Sequence, residues 1–200
     1  MNAEESQVNP PDLSGLVFDA SQHEGMLLPE GDFWLFAYGS LMWNPEFSFL
    51  RSEQARVFGY HRCLCMWSVA YRGTLEHPGL VMGLDRGGSS VGRAFLLSKH
   101  NAAEVIDQLN EREMVTGAYR SILKNISLKT GEMVQAVTLI SRRDHPQYAP
   151  DLNVATTANI IQCARGARGS NLDYVMNTVQ KLREMGIVDQ SLEAVSRYLE

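Results

Sequence analysis

The chain has 200 residues, with 18 Lys and Arg against 23 Asp and Glu for a formal charge of −5, and it is 44% hydrophobic and 20% charged. At roughly 100 to 200 residues per domain this is the length of one domain, which buries about 70% of its unfolded surface without needing disulfides. Mild acidity argues against a nucleic-acid or anionic-membrane binder, which presents a basic face, and favours small-molecule chemistry.

Residues 1–32 are polar, with adjacent Pro10 and Pro11 and no sustained periodicity, and read as an extended, loosely packed arm. The start of the chain is acidic where a secretory signal is basic, and nowhere do 18 uncharged apolar residues run together, so a cytoplasmic, unanchored protein is expected. Phe33 to Tyr38 is dense in apolar and aromatic residues and reads as a buried strand that ends in the turn Gly39-Ser40. Ala55 to Val69 predicts a second strand, with His61, Cys63, Cys65 and Trp67 on one face and Arg62, Leu64 and Met66 on the other. Leu80 to Leu84 and Val91 to Leu97 read as two short strands around a hairpin turn at Gly87-Gly88, since glycine supplies the positive φ such turns require.

The period then changes. Asn101 to Glu113 predicts a helix, capped by Asn101 and Glu104, with Ala102, Val105, Ile106 and Leu109 at helical spacing. Arg120 to Ser127 and Gln135 to Ile140 read as strands around the Lys129 to Glu132 turn, and everything after Pro150 reads helical with a break at residues 166–170. Closely spaced strands leave no room for crossover helices, so the order favours an α+β mixed sheet or barrel carrying packed helices.

Glu113 is the most informative titratable residue. Offsets of 4, 7, 8 and 11 from Leu109, Ile106, Val105 and Ala102 put it on the apolar stripe of its helix. Burial and the negative helix C-terminus both disfavour its anion and raise its pKa, as a general base near neutrality requires; the plain alternative is a buried ion pair with an arginine other than its neighbour Arg112, which points away. The turn Tyr38-Gly39-Ser40-Leu41 can aim successive N–H groups at one oxygen, and the absence of GK[ST] or GxGxxG excludes a P-loop or dinucleotide fingerprint. Arg72 can clamp a carboxylate, as can Arg165 and Arg168 beside a helix N-terminus. His61, Cys63 and Cys65 have no second ligand cluster, and three cysteines without a CxxC pair indicate neither a disulfide framework nor a metal site.

Taken together, Phe36-Ala37-Tyr38-Gly39-Ser40-Leu41-Met42-Trp43, Gly59-Tyr60-His61-Arg62, Tyr71-Arg72-Gly73-Thr74 with Pro78-Gly79-Leu80, Arg112-Glu113 with Gly117 and Tyr119, and the Gly166 to Tyr174 stretch resemble the ChaC family of glutathione-specific γ-glutamylcyclotransferases. The resemblance spans residues 33–200 and leaves the arm without a counterpart. It implies a γ-glutamylcyclotransferase-like fold, no cofactor and no metal, and glutathione as the small-molecule substrate, cleaved to 5-oxoproline and Cys-Gly. It places γ-glutamyl binding on Ala37, Tyr38, Gly39, Ser40, Leu41 and Met42 and catalysis on Glu113, with Arg72 and Tyr119 as further substrate contacts. The alternatives are a cyclotransferase acting on other γ-glutamyl amino acids or γ-glutamylamines, and a non-catalytic binding module on the same scaffold.

Overall fold

The computed structural model describes residues 11–149 and 152–200. Five strands close into a barrel in the order β1-β3-β2-β4-β5: β1 (Phe33–Ala37), β2 (Arg51–Ser68), β3 (Gly79–Leu97), β4 (Tyr119–Leu128) and β5 (Met133–Ser141). Every pairing is antiparallel except β1 with β5, which is parallel and seals the barrel. Strand β1 is buried at all five positions, as a continuous apolar run requires when both faces are covered. Helix α1 (Ala102–Glu113) joins β3 to β4 and buries Ala102, Val105, Ile106 and Leu109, the predicted stripe. Helices α2 (Val154–Cys163), α3 (Asn171–Glu184) and α4 (Gln190–Leu199) follow the barrel, with a two-residue-stranded hairpin at Arg165–Gly166 and Gly169–Ser170 making the expected break. The α+β barrel with packed helices is therefore the observed architecture.

Several local expectations are corrected. The two strands expected around Gly87-Gly88 are one 19-residue strand paired with β2 along its length. Both glycines do adopt positive φ, at 100° and 66°. They form a bulge, not a hairpin turn: Phe58 pairs with Ser89 and Tyr60 with Arg86, so two β3 residues oppose the single Gly59. A second shift leaves Cys65 as an extra residue between the Leu64 and Met66 pairings and breaks the expected alternation. Arg62 is buried while His61 is exposed, and Cys63 is joined to Cys65 by a disulfide, their Cα atoms 5.3 Å apart. That pairing was not expected, and it uses both sulfurs of the candidate ligand trio. Asn101 flanks α1 but forms no side-chain cap.

The arm is not loose where it is described. Leu13 is buried against Trp67, Val69, Leu80 and Ala149, and Met26 joins the main core. Residues 1–10, with Pro10, and residues 150 and 151, where the helical part was expected to begin, lie outside the described residues.

A face of α3 fixes the register of that helix on the barrel. Asn171, fully buried, accepts from the Leu80 amide at 2.6 Å and donates to the Leu80 carbonyl at 2.7 Å, replacing a neighbouring strand. One turn on, the Tyr174 hydroxyl accepts from the Met82 amide at 3.0 Å. Ser170 caps the helix by accepting from the Asp173 amide, as its sequence suggests.

Candidate active site

Strand β1 delivers Tyr38 and Gly39 into a single 3-10 turn, Ser40–Met42. Met42 and Trp43 donate to the carbonyls of Gly39 and Ser40, whereas the amides of Ser40 and Leu41 open the turn and have no carbonyl behind them within it. The carbonyl of Tyr38 accepts from Nε of buried Arg62 at 2.6 Å, which fixes the peptide entering the turn. Gly39 has φ −122°, not the positive φ that favours glycine, and a Cβ there would sit 3.2 Å from the Tyr174 hydroxyl and 3.3 Å from the Met82 side chain, so those neighbours would have to give to admit one.

These residues edge a cavity of about 700 Å³, within the ~300–1,000 Å³ typical of small-molecule sites. Ala37, Tyr38, Gly39, Ser40, Leu41, Arg72, Glu113 and Tyr119 line it, and Met42 does not: it packs beneath the turn, its sulfur 3.9 Å from Arg62. Arg72 reaches the cavity while donating to the Ser170 carbonyl at 3.2 Å and lying 5.5 Å over the Tyr174 ring.

Glu113 ends α1 with its carboxylate in this cavity. Contrary to expectation, its partner is Arg112, whose Nε lies 3.1 Å from Oε1. Adjacent helix positions diverge, but the long arginine stem turns back. The same guanidinium donates to Ser40 Oγ at 3.1 Å, the Asn44 carbonyl at 2.9 Å and Glu46 at 2.7 Å, so one side chain ties the carboxylate to the glycine turn. Arg168, stacked 4.6 Å over Tyr71, completes a cationic rim. Burial pushes the Glu113 carboxyl up and outweighs the opposing pull of Arg112 and Arg168. No described group takes Oε2.

Tyr174 and Arg112 are the contributors that periodicity did not single out. Tyr119 donates to the Met82 carbonyl at 2.9 Å while Tyr174 accepts from the Met82 amide, so the backbone of one residue fixes the two phenols in opposite senses. Tyr119 is left offering an oxygen lone pair, and Tyr174 a proton for which no described group is the acceptor. Burial, reinforced by the Glu113 charge, pushes both phenols up, and both stay protonated at neutral pH.

A closed barrel with a half-buried carboxylate facing a glycine turn across a ligand-sized cavity defines a small-molecule enzyme of the γ-glutamylcyclotransferase-like fold. The family model for ChaC-like proteins matches residues 33–200, and the chain belongs to that family. It is 36% identical to the glutathione-specific γ-glutamylcyclotransferase of Escherichia coli over 163 residues, covering 82% of this chain and 71% of that protein. It is 31% identical to glutathione-specific γ-glutamylcyclotransferase 1 of mouse over 197 residues, covering 93% and 86%. Among solved structures, a yeast γ-glutamyl cyclotransferase specific to glutathione superposes with a TM-score of 0.76 at 21% identity, over 84% of this chain and 97% of that one, a likeness of fold.

Proposed function

We propose that the protein is a glutathione-specific γ-glutamylcyclotransferase that releases 5-oxoproline and Cys-Gly. The observation that carries this reading is the Glu113 carboxylate, one oxygen held by Arg112 and the other free, set beside the amides of the Gly39 turn in one cavity. In glutathione the α-amine can reach its own γ-carbonyl and close a five-membered lactam, but at neutral pH it is an ammonium and cannot attack. Glu113 Oε2 takes a proton from it, and the phenolic oxygen of Tyr119 accepts another of its N–H groups. The amine nitrogen then bonds to the γ-carbon, and the carbonyl π pair moves to oxygen. The Ser40 and Leu41 amides and the Tyr174 hydroxyl face that developing oxyanion, the arrangement that stabilises charge formed only in the transition state. Collapse breaks the bond to the cysteinyl nitrogen, which receives its proton from Glu113. The attacking nitrogen loses two protons overall and the leaving nitrogen gains two, so a single carboxyl cycling between its forms suffices, and no water is consumed.

The test is to incubate the purified protein with reduced glutathione, and with a panel of γ-glutamyl amino acids and γ-glutamylamines, and to measure 5-oxoproline. The expected result is release from glutathione in preference to the others; release from γ-glutamylamines alone would reassign the leaving group, and no release would leave a binding module. Tyr174→Phe keeps the ring on Arg72 and deletes the donor. It should lower kcat by about 10²-fold with KM little changed, the cost of one donor aimed at an oxyanion. An unchanged kcat would remove Tyr174 from the reaction.

A further inference from the structure

The family match begins at residue 33, yet the preceding arm reaches the cavity. Residues 11–32 are pinned at both ends of a short span. Leu13, 4% exposed, is buried under the barrel with Trp67 and Leu80. On the far side the Met26 amide donates to Asn110 Oδ1 at 2.7 Å and the Leu27 amide to Ser121 Oγ at 3.0 Å, while the His23 ring lies so close over Gly117 that a Cβ there would come within 2.7 Å of it. Between these anchors Phe18 lines the cavity that holds Glu113.

Phe18 is 45% exposed and belongs to none of the buried clusters, so core packing does not account for its place. A large aromatic ring half in water at the edge of a cavity gains most when a ligand covers it. The depth of the site says which part of the ligand. Tyr38, Tyr174 and the turn they flank are buried, so a γ-glutamyl group reacting at Glu113 occupies the deep end, and the portion beyond the scissile amide extends to the mouth where Phe18 stands.

We infer that residues 11–32 form the outer wall of the leaving-group subsite and that Phe18 is a specificity-determining contact for the cysteinylglycine portion of glutathione. This rests on the reaction proposed above and deepens it: the Gly39 turn and Glu113 address the γ-glutamyl end, and this arm addresses the other. Phe18 touches no proton in transfer, so its loss acts on binding and not on the chemical step.

The experiment compares wild type, Phe18→Ala and Phe18→Tyr with reduced glutathione as substrate and 5-oxoproline, which has no leaving portion, as competitive inhibitor. Phe18→Ala should raise KM for glutathione about tenfold, the scale of one aromatic contact, with kcat within about twofold and Ki for 5-oxoproline unchanged. Phe18→Tyr, which keeps the ring, should restore the wild-type KM. If Phe18→Ala shares the wild-type KM while both release 5-oxoproline, the wall is wrong and the reaction stands. If KM and Ki rise together, the arm supports the whole site and no subsite is present. If no variant releases 5-oxoproline, the reaction fails and takes the subsite with it.

Discussion

Glu113→Gln should lower turnover of glutathione by about 10² to 10⁴-fold, the range set by loss of general acid-base catalysis, with KM changed far less. Glutamine keeps the length and one carbonyl oxygen for Arg112 Nε, so the guanidinium stays on Ser40, Asn44 and Glu46 and the glycine turn stays where it is. What disappears is the ability to take a proton from an ammonium. Stability should not fall with the rate. Burial raises the Glu113 pKa above its unfolded value, so folding favours the protonated form. The ionised carboxylate then subtracts stability at pH above the folded pKa, and that penalty vanishes below the unfolded one. A neutral glutamine removes it. Thermal denaturation at pH 7 should place the variant's Tm at or above that of wild type, and a variant both unstable and fully active would reduce Glu113 to a structural ion-pair partner.

The same shift fixes the sign of the pH dependence. Wild-type kcat/KM should fall as pH is lowered through a midpoint above about 4.3, the ordinary glutamate value, because the base must be ionised in the free enzyme. Arg112 opposes burial, so weakening that cation should move the midpoint further up. Arg112→Gln offers no charge and is expected to shift the acid limb to higher pH as well as loosen the Ser40 turn; an acid limb that stays in place would mean another group titrates.

What could be read in the sequence follows from how local each signal is. The inward placing of Glu113 was legible because helical spacing alone puts residue 113 on the stripe of Leu109 and Ile106; the structure buries those residues and leaves Glu113 half-buried at the end of the stripe. Its partner was not, because periodicity fixes where a Cβ points and says nothing of where the six further heavy atoms of an arginine go. The glycine pair at 87 and 88 shows the same division. Positive φ was legible, but a hairpin turn and a bulge need the same glycines, and only the pairing of β2 with both halves of β3 tells them apart. Tyr174 sits 92 residues from the Met82 peptide that orients it, and Leu13 and Met26 are single apolar residues in a polar stretch, with no period to reveal that they anchor the arm.

Arg62 is the structural counterpart of that lesson, and its removal should cost the most stability of any change near the site. Its side chain is 2% exposed and lies on β2, yet its three nitrogens serve three other elements: Nε donates to the Tyr38 carbonyl at the end of β1, Nη2 to the Val91 carbonyl of β3 at 2.6 Å, and Nη1 pairs with Asp189 at 3.1 Å. Asp189 is in turn the N-cap of α4, accepting from the Leu192 amide. Arg62→Met fills similar volume and leaves two carbonyls without these donors and a carboxylate without its cation. Two carbonyls losing donors at about 1 to 3 kcal/mol each, with the half-buried Asp189 carboxylate losing its cation, put the cost at about 3 to 5 kcal/mol. For a chain of this size that is a fall of roughly 6 to 20 °C in Tm. Arg62→Lys keeps the charge but cannot fork, and should recover only the Asp189 term. Because the Tyr38 carbonyl precedes Gly39, the Met variant should also lose activity at temperatures where circular dichroism shows it folded, by misplacing the Ser40 and Leu41 amides. A variant with wild-type Tm would mean that water replaces the guanidinium at all three sites, and that the turn holds its shape through Arg112 alone.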